Sequence, residues 1–135
     1  MSPVGKPLRG LRVLVVDDDE DTREVFALVL EDAGAEVRTV GCAKEALRAV
    51  LEWRPSLVTC DVAMPTTDGF AFLRALRSTH QCQEIPAIAV TGMASPAHRE
   101  AAFAAGFQEQ LTKPIEPTDL IARVKHWATA RPIEP

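Results

Sequence analysis

A single α/β domain, with a parallel sheet covered by helices on both faces, is the fold class this sequence predicts. Three observations lead there. Short β-branched runs alternate five times with longer stretches of helical period, which is the pattern of consecutive strand–helix units. The chain has 135 residues, about one domain's worth, and a core of that size buries roughly two thirds of the unfolded surface. Hydrophobic residues make up 47% and charged residues 25%, globular proportions that speak against disorder and coiled coil.

The first strand is Leu11 to Val16, nearly continuous, β-branched and too short for a helix, so both its faces should be buried. An acidic run, Asp17 to Asp21, follows. Val25, Phe26, Leu28, Val29 and Leu30 then fall on a helix that Gly34 closes. Ala35 to Val40 is the second strand, with Val37 and Thr39 alternating against charged neighbours. Ala43 to Trp53 is helical, with Ala46, Leu47, Val50 and Leu51 on one side and Pro55 just beyond. Leu57 to Cys60 gives the third strand. After the loop Met64 to Gly69, with Asp68 as the expected cap, a helix runs through Phe70, Phe72, Leu73 and Leu76. Pro86 to Val90 is the fourth strand. Ser95 and Pro96 open the next helix as N-cap and first-turn proline, and Gly106 ends it. Phe107 to Leu111 is the fifth and most polar strand, carrying Gln108, Glu109 and Gln110. Pro117 starts the last helix, which runs to Thr129. Residues 1–10 and 130–135 are expected to be tails flanking a domain over 11–129.

The net charge of -4 argues against a nucleic-acid surface, which normally carries a basic excess. The longest apolar run, Val25 to Leu30, falls far short of the ~20 residues that span a bilayer. The first twelve residues hold Lys6, Arg9 and Arg12 without an apolar core, unlike a secretory signal. Cys42, Cys60 and Cys82 form no C-x-x-C pair, which fits a reducing compartment and no zinc site. A cytoplasmic domain with no membrane contact is the expectation.

In a parallel sheet of this kind, sites lie at the carboxyl ends of the strands. Here the first strand ends in Asp17, Asp18 and Asp19, the third in Asp61, the fourth in Thr91 and Gly92, and the fifth leads into Thr112, Lys113 and Pro114. A lone acidic run beside a helix start is ordinary dipole complementation. The combination means more. Three carboxylates, a hydroxyl and an ammonium on one rim suit a hard cation and a phosphoryl group, whose oxygens the metal, lysine and hydroxyl can share.

At these positions the chain resembles the receiver domains of two-component response regulators, over residues 11 to 128. The matching segments are Val15 to Asp19, Asp61 to Gly69, Val90 to Gly92, and Leu111 to Pro114. Thr91 and Lys113 follow Asp61 by 30 and 52 residues, as the family's usual arrangement has it. The resemblance implies a flavodoxin-like doubly wound sheet of five strands in the order 2-1-3-4-5, with five helices. It implies that Asp61 accepts a phosphoryl group from a histidine kinase or a histidine phosphotransfer protein. Asp17 and Asp18 match the pair that holds magnesium (or manganese) with Asp61 and the backbone carbonyl of Ala63. Thr91 matches the switch hydroxyl and Lys113 the lysine that pairs with Asp61 and then with the phosphoryl oxygens. Pro114 sits where the family commonly has a cis peptide bond.

The implied role is a phosphorylation switch, not a turnover enzyme. Its downstream partner is expected on the face built from Ser95–Ala105, Phe107–Leu111 and Pro117–Thr129. A haloacid-dehalogenase-type phosphohydrolase would need a second acid two residues after Asp61, where Ala63 stands. A pseudo-receiver scaffold would not need all five site residues. Asp19 and Glu20 read as helix-start charges, Cys60 as core, Trp53 and Trp127 as packing, and His80, His98 and His126 as surface groups. Ala63 and Met93 flank the approach of a hydrolytic water and offer it no strong partner, so slow self-dephosphorylation is expected. The family usually has Tyr or Phe three residues before the lysine; here that residue is Gln110, and Phe107 lies too early to replace it. A weaker or differently routed response on the outer face follows. Only about six residues follow the last helix, too few for an output module, so the chain reads as a stand-alone receiver or part of a longer regulator or hybrid kinase.

Overall fold

Val13, Leu14, Val15 and Val16 leave neither face of their strand open to water, each being at most 1% exposed. Val13 and Val15 point into one apolar layer and Leu14 and Val16 into the other, so a single run of four residues feeds two cores. The computed structural model describes residues 6–62, 69–92 and 95–130. In chain order they form β1 (Arg12–Val16), α1 (Glu20–Asp32), β2 (Glu36–Val40), α2 (Ala43–Trp53), β3 (Leu57–Asp61), α3 (Gly69–Ser78), a 3-10 turn (His80–Cys82), β4 (Ala87–Thr91), α4 (Pro96–Ala105), β5 (Glu109–Thr112) and α5 (Pro117–Thr129). The strands make one parallel sheet in the order β2-β1-β3-β4-β5, the flavodoxin-like topology expected.

Phe26 and Leu30 of α1 and Leu120 and Val124 of α5 cover one face of the sheet, over Val13, Val15, Leu57, Ile88 and Val90. Helices α2, α3 and α4 cover the other, with Ala46, Val50, Phe72, Leu73, Leu76 and Ala102 over Leu14, Val58, Cys60 and Ala89. Each fully buried aliphatic side chain contributes roughly 1.5–3 kcal/mol. Among the described residues no helix is long and apolar enough to cross a membrane.

The helix ends follow the sequence signals. Ser95 Oγ accepts from His98 N at 3.1 Å with Pro96 opening α4. Gly34 and Gly106 take the positive φ values, 107° and 113°, that end α1 and α4. Asp68, the expected cap of α3, lies outside the described residues.

Four details differ from expectation. Leu51 is 44% exposed, because α2 rests on Ala43, Ala46, Ala49 and Val50 and Leu51 lies past the edge of that stripe. The fifth strand runs Glu109–Thr112, displaced toward the site, because Phe107 leaves the chain's path to fill the core beneath α4. Residues 1–10 were expected to form a tail, yet Leu8 is fully buried and its N–H donates to Ala33 O at 2.8 Å. β3 and β4 each run one residue further than the apolar pattern marks, so Asp61 and Thr91 are themselves strand residues.

The pole of the sheet where β4 and β5 begin is held by Arg77. Its guanidinium donates to Ile85 O at 2.6 Å, to Gly106 O at 2.8 and 3.0 Å and to Gln108 Oε1 at 3.0 Å, and that last oxygen also accepts from Ala87 N at 2.7 Å.

Candidate phosphoryl and metal site

The carboxyl ends of β1, β3 and β5 converge because their register is fixed residue by residue. Val16 pairs with Cys60, which puts Asp17 beside Asp61, and Thr91 pairs with Thr112, which brings Lys113 to the same rim. Asp17 is 2% exposed and Asp61 8%. Asp18 is exposed. One carboxylate oxygen from each of Asp17, Asp18 and Asp61 lies within 4.8 Å of the others. Lys113 Nζ donates to Asp17 Oδ2 at 3.2 Å and to Asp61 Oδ2 at 3.4 Å. The Lys113–Pro114 peptide bond is cis.

Burial pushes the Asp17 carboxyl above its ordinary value. The Asp19 N–H, donating to Asp17 Oδ1 at 2.9 Å, and the Lys113 ammonium oppose this, and the Asp61 charge adds to it. Burial alone would lower the Lys113 pKa, but the charges of Asp17 and then Asp61 outweigh it and hold the ammonium above its ordinary value. Three oxygen donors at this spacing, two of them buried, could hold a hard divalent cation that keeps part of its water shell. The Ala63 carbonyl, expected as a further ligand, lies outside the described residues, as does Met93.

Thr91 is fully buried at the end of β4, one residue beyond the Val90 that pairs with Asp61. Its carbonyl accepts from Lys113 N at 2.7 Å, so the threonine and the lysine are tied through the backbone. Gln110, where the aromatic was missed, is 8% exposed. It pairs with Ala89, two residues before Thr91, so both side chains lie on the α4 side of the sheet.

Asp19 caps α1, its Oδ2 accepting from Thr22 N at 3.1 Å and Thr22 Oγ1 at 2.6 Å, and these bonds hold its carboxyl below the ordinary value. Cys60 is buried in the core. Trp53 packs at the core edge with the Arg12 and Arg38 guanidiniums over its ring. Trp127 Nε1 donates to Glu109 Oε1 at 2.6 Å, and Arg123 Nε donates to the same oxygen at 2.8 Å, stapling α5 to β5.

The sequence leaves Arg23 unmarked and marks Gly69 only as the end of the loop Met64 to Gly69. Arg23 of α1 donates from Nη1 to Asp17 O at 2.7 Å, fixing the turn that presents the acidic pair. Gly69 begins α3 so close to the end of β3 that a Cβ there would meet Asp61 O at 2.8 Å and Val62 Cα at 2.9 Å. An Arg spaced five residues past an acidic pair and a Gly after an Asp carry no distinguishing signal; only tertiary neighbours reveal them.

A sequence profile of the family described as response regulator receiver domain matches residues 13–125. An uncharacterized 14.6 kDa protein of Leptolyngbya boryana is 42% identical over 125 residues, covering 93% of this chain and 95% of that one. The transcriptional regulatory protein GltR of Pseudomonas aeruginosa is 35% identical over 86% of this chain, which spans 48% of the regulator's length. Among solved structures, the chemotaxis protein CheY4 of Vibrio cholerae superposes with a TM-score of 0.83 at 32% identity, covering 87% of this chain and 98% of its own.

Proposed function

The chain belongs to the response regulator receiver domain family, a family of phosphoacceptor signalling domains, and from that premise we propose that Asp61 is the residue phosphorylated. The observation that carries this is the single lysine shared between two carboxylates, Lys113 Nζ lying 3.2 Å from Asp17 and 3.4 Å from Asp61. An Asp61 oxygen forms the new bond to phosphorus as the bond from phosphorus to a phosphohistidine nitrogen breaks. The imidazole leaves with the electron pair and takes a proton from solvent. Lys113 then exchanges its Asp61 contact for a phosphoryl oxygen, and the Thr91 hydroxyl turns to another.

Receiver domains of this family use magnesium at an acidic site. Asp17, Asp18 and Asp61 would hold it here, and when bound it neutralises charge on the phosphoryl oxygens. Asp17 would keep its second oxygen on the Asp19 N–H, which orients the carboxylate. Receiver domains exchange phosphoryl groups with histidine kinases or phosphotransfer proteins and act on effectors. For this chain the α4–β5–α5 face is the proposed effector surface, the cytoplasm the proposed compartment, and a long-lived phosphoryl group the proposed timing.

Intact mass spectrometry after incubation with acetyl phosphate and magnesium tests the reading. One phosphoryl group is expected on the wild type, none on Asp61→Asn, and none after chelation. Wild-type labelling that survives either change would sink it.

A further inference from the structure

Gln110 Oε1 is buried and, among the described residues, has no hydrogen-bond partner. Such an oxygen biases any two-state equilibrium toward the state that pairs it, by roughly fivefold or more. Gln110 lines a groove of about 180 Å³ between α4 and β5, together with Ser95, Pro96, Arg99 and Thr112. Arg99 is exposed on α4, and among the described residues its guanidinium makes no hydrogen bond or ion pair. An unpaired acceptor and an unpaired five-proton donor therefore wall the same small space.

We propose that Gln110 and Arg99 form a latch that closes on phosphorylation, the Arg99 guanidinium donating to Gln110 Oε1 across the α4–β5 groove. The proposal rests on the reading of Asp61 as phosphoacceptor and of Thr91 as the hydroxyl that turns toward the phosphoryl group. Gln110 and Thr91 share one side of the sheet, two strand positions apart in register, so moving Thr91 inward reshapes the wall of the groove at Gln110. Closing the gap needs reorientation of a long side chain and a small approach of α4. Ser95 Oγ is already occupied by His98, which leaves Arg99 as the charged donor lining the groove. A hydrogen bond from a charged donor to a buried acceptor is stronger than one between neutral groups. In this chain a polar bond thus takes the place of the aromatic side chain the family usually carries there, and Gln110 acts as a positioning residue for α4.

Calorimetric titration with beryllofluoride in saturating magnesium tests this, on wild type, Gln110→Leu, Arg99→Met, the double variant and Arg99→Lys. Gln110→Leu and Arg99→Met are each expected to weaken beryllofluoride affinity about fivefold or more. The double variant should be no weaker than either single one, and Arg99→Lys should keep most of the affinity. Without beryllofluoride, Gln110→Leu should be at least as heat-stable as wild type, since it removes an unpaired buried oxygen. A purely packing role would move stability and affinity together. Unchanged affinity in either single variant, additive losses in the double, or a Gln110→Leu chain less stable than wild type would overturn the latch. Wild-type protein that fails to bind beryllofluoride would overturn the phosphoacceptor reading and the latch with it. Wild-type binding with all variants alike would overturn the latch alone.

Discussion

Arg23 offers no chemistry of its own, yet its guanidinium grips the carbonyl of Asp17 and lies against the backbone of Gly41, where a Cβ would meet Nη1 at 3.0 Å. It acts on the acidic pair through the main chain. Outer partners of metal ligands commonly change affinity by about 10-fold or more when removed. Arg23→Ala is therefore expected to weaken magnesium binding about 10-fold, measured by calorimetric titration, while the far-ultraviolet spectrum stays unchanged. A magnesium affinity within twofold of wild type would make Arg23 a scaffold residue only. Asp17 and Asp61 could be read from the sequence because they end apolar runs, and strand ends of a parallel sheet share a rim; Lys113 follows a polar strand and was marked by its place in the family's motif. Arg23 could not, since it sits among Asp21, Thr22 and Glu24 on a polar stretch of helix and its partner is a carbonyl. Leu8 was hidden for a related reason: a single leucine among Pro7, Arg9 and Gly10 has no periodicity to mark it as core.

At the scale of elements, Gly69 brings the start of α3 close against the end of β3. Ala in place of Gly normally favours a helix by roughly 0.5–1 kcal/mol. At Gly69 the sign reverses, because the added Cβ meets the backbone of Asp61 and Val62, which cannot give way as a flexible side chain would. Gly69→Ala is expected to cost about 1–3 kcal/mol in urea unfolding and to slow labelling by acetyl phosphate. A stabilised variant would mean that α3 can shift without disturbing the strand. Strand and helix identities were legible from periodicity and caps, since Ser95, Pro96 and Gly106 mark α4 by themselves. The register of β5 was not. Gln108, just before the strand, serves Arg77 and Ala87, and Glu109 within it takes Arg123 and Trp127. None of those bonds follows from alternation along the strand.

For the molecule as a whole, the rim gathers negative charge that the fold alone does not neutralise. Burial makes the charged form of Asp17 unfavourable in the native state, so Asp17→Asn should raise metal-free stability. Wild type should gain roughly 2.7 kcal/mol when magnesium is at 100 times its dissociation constant; the variant should gain much less. Urea unfolding with and without magnesium measures both, and equal gains would remove Asp17 from the metal site. The opposite pole is built differently. There Arg77 ties the residue before Pro86, the end of α4 and the approach to β5 into one knot of carbonyls, and Leu8 seals the foot of α1. The domain is thus expected to have a hard end and a soft end. Thermal opening should begin among the acidic loops and travel down the sheet, with the knot the last to let go. In hydrogen exchange, the Ala87 and Phe107 amides should be released only by global unfolding, while those of Asp19 and Lys113 exchange sooner and slow when magnesium is added. A signalling domain with that gradient can remodel its upper surface again and again without loosening its foundation.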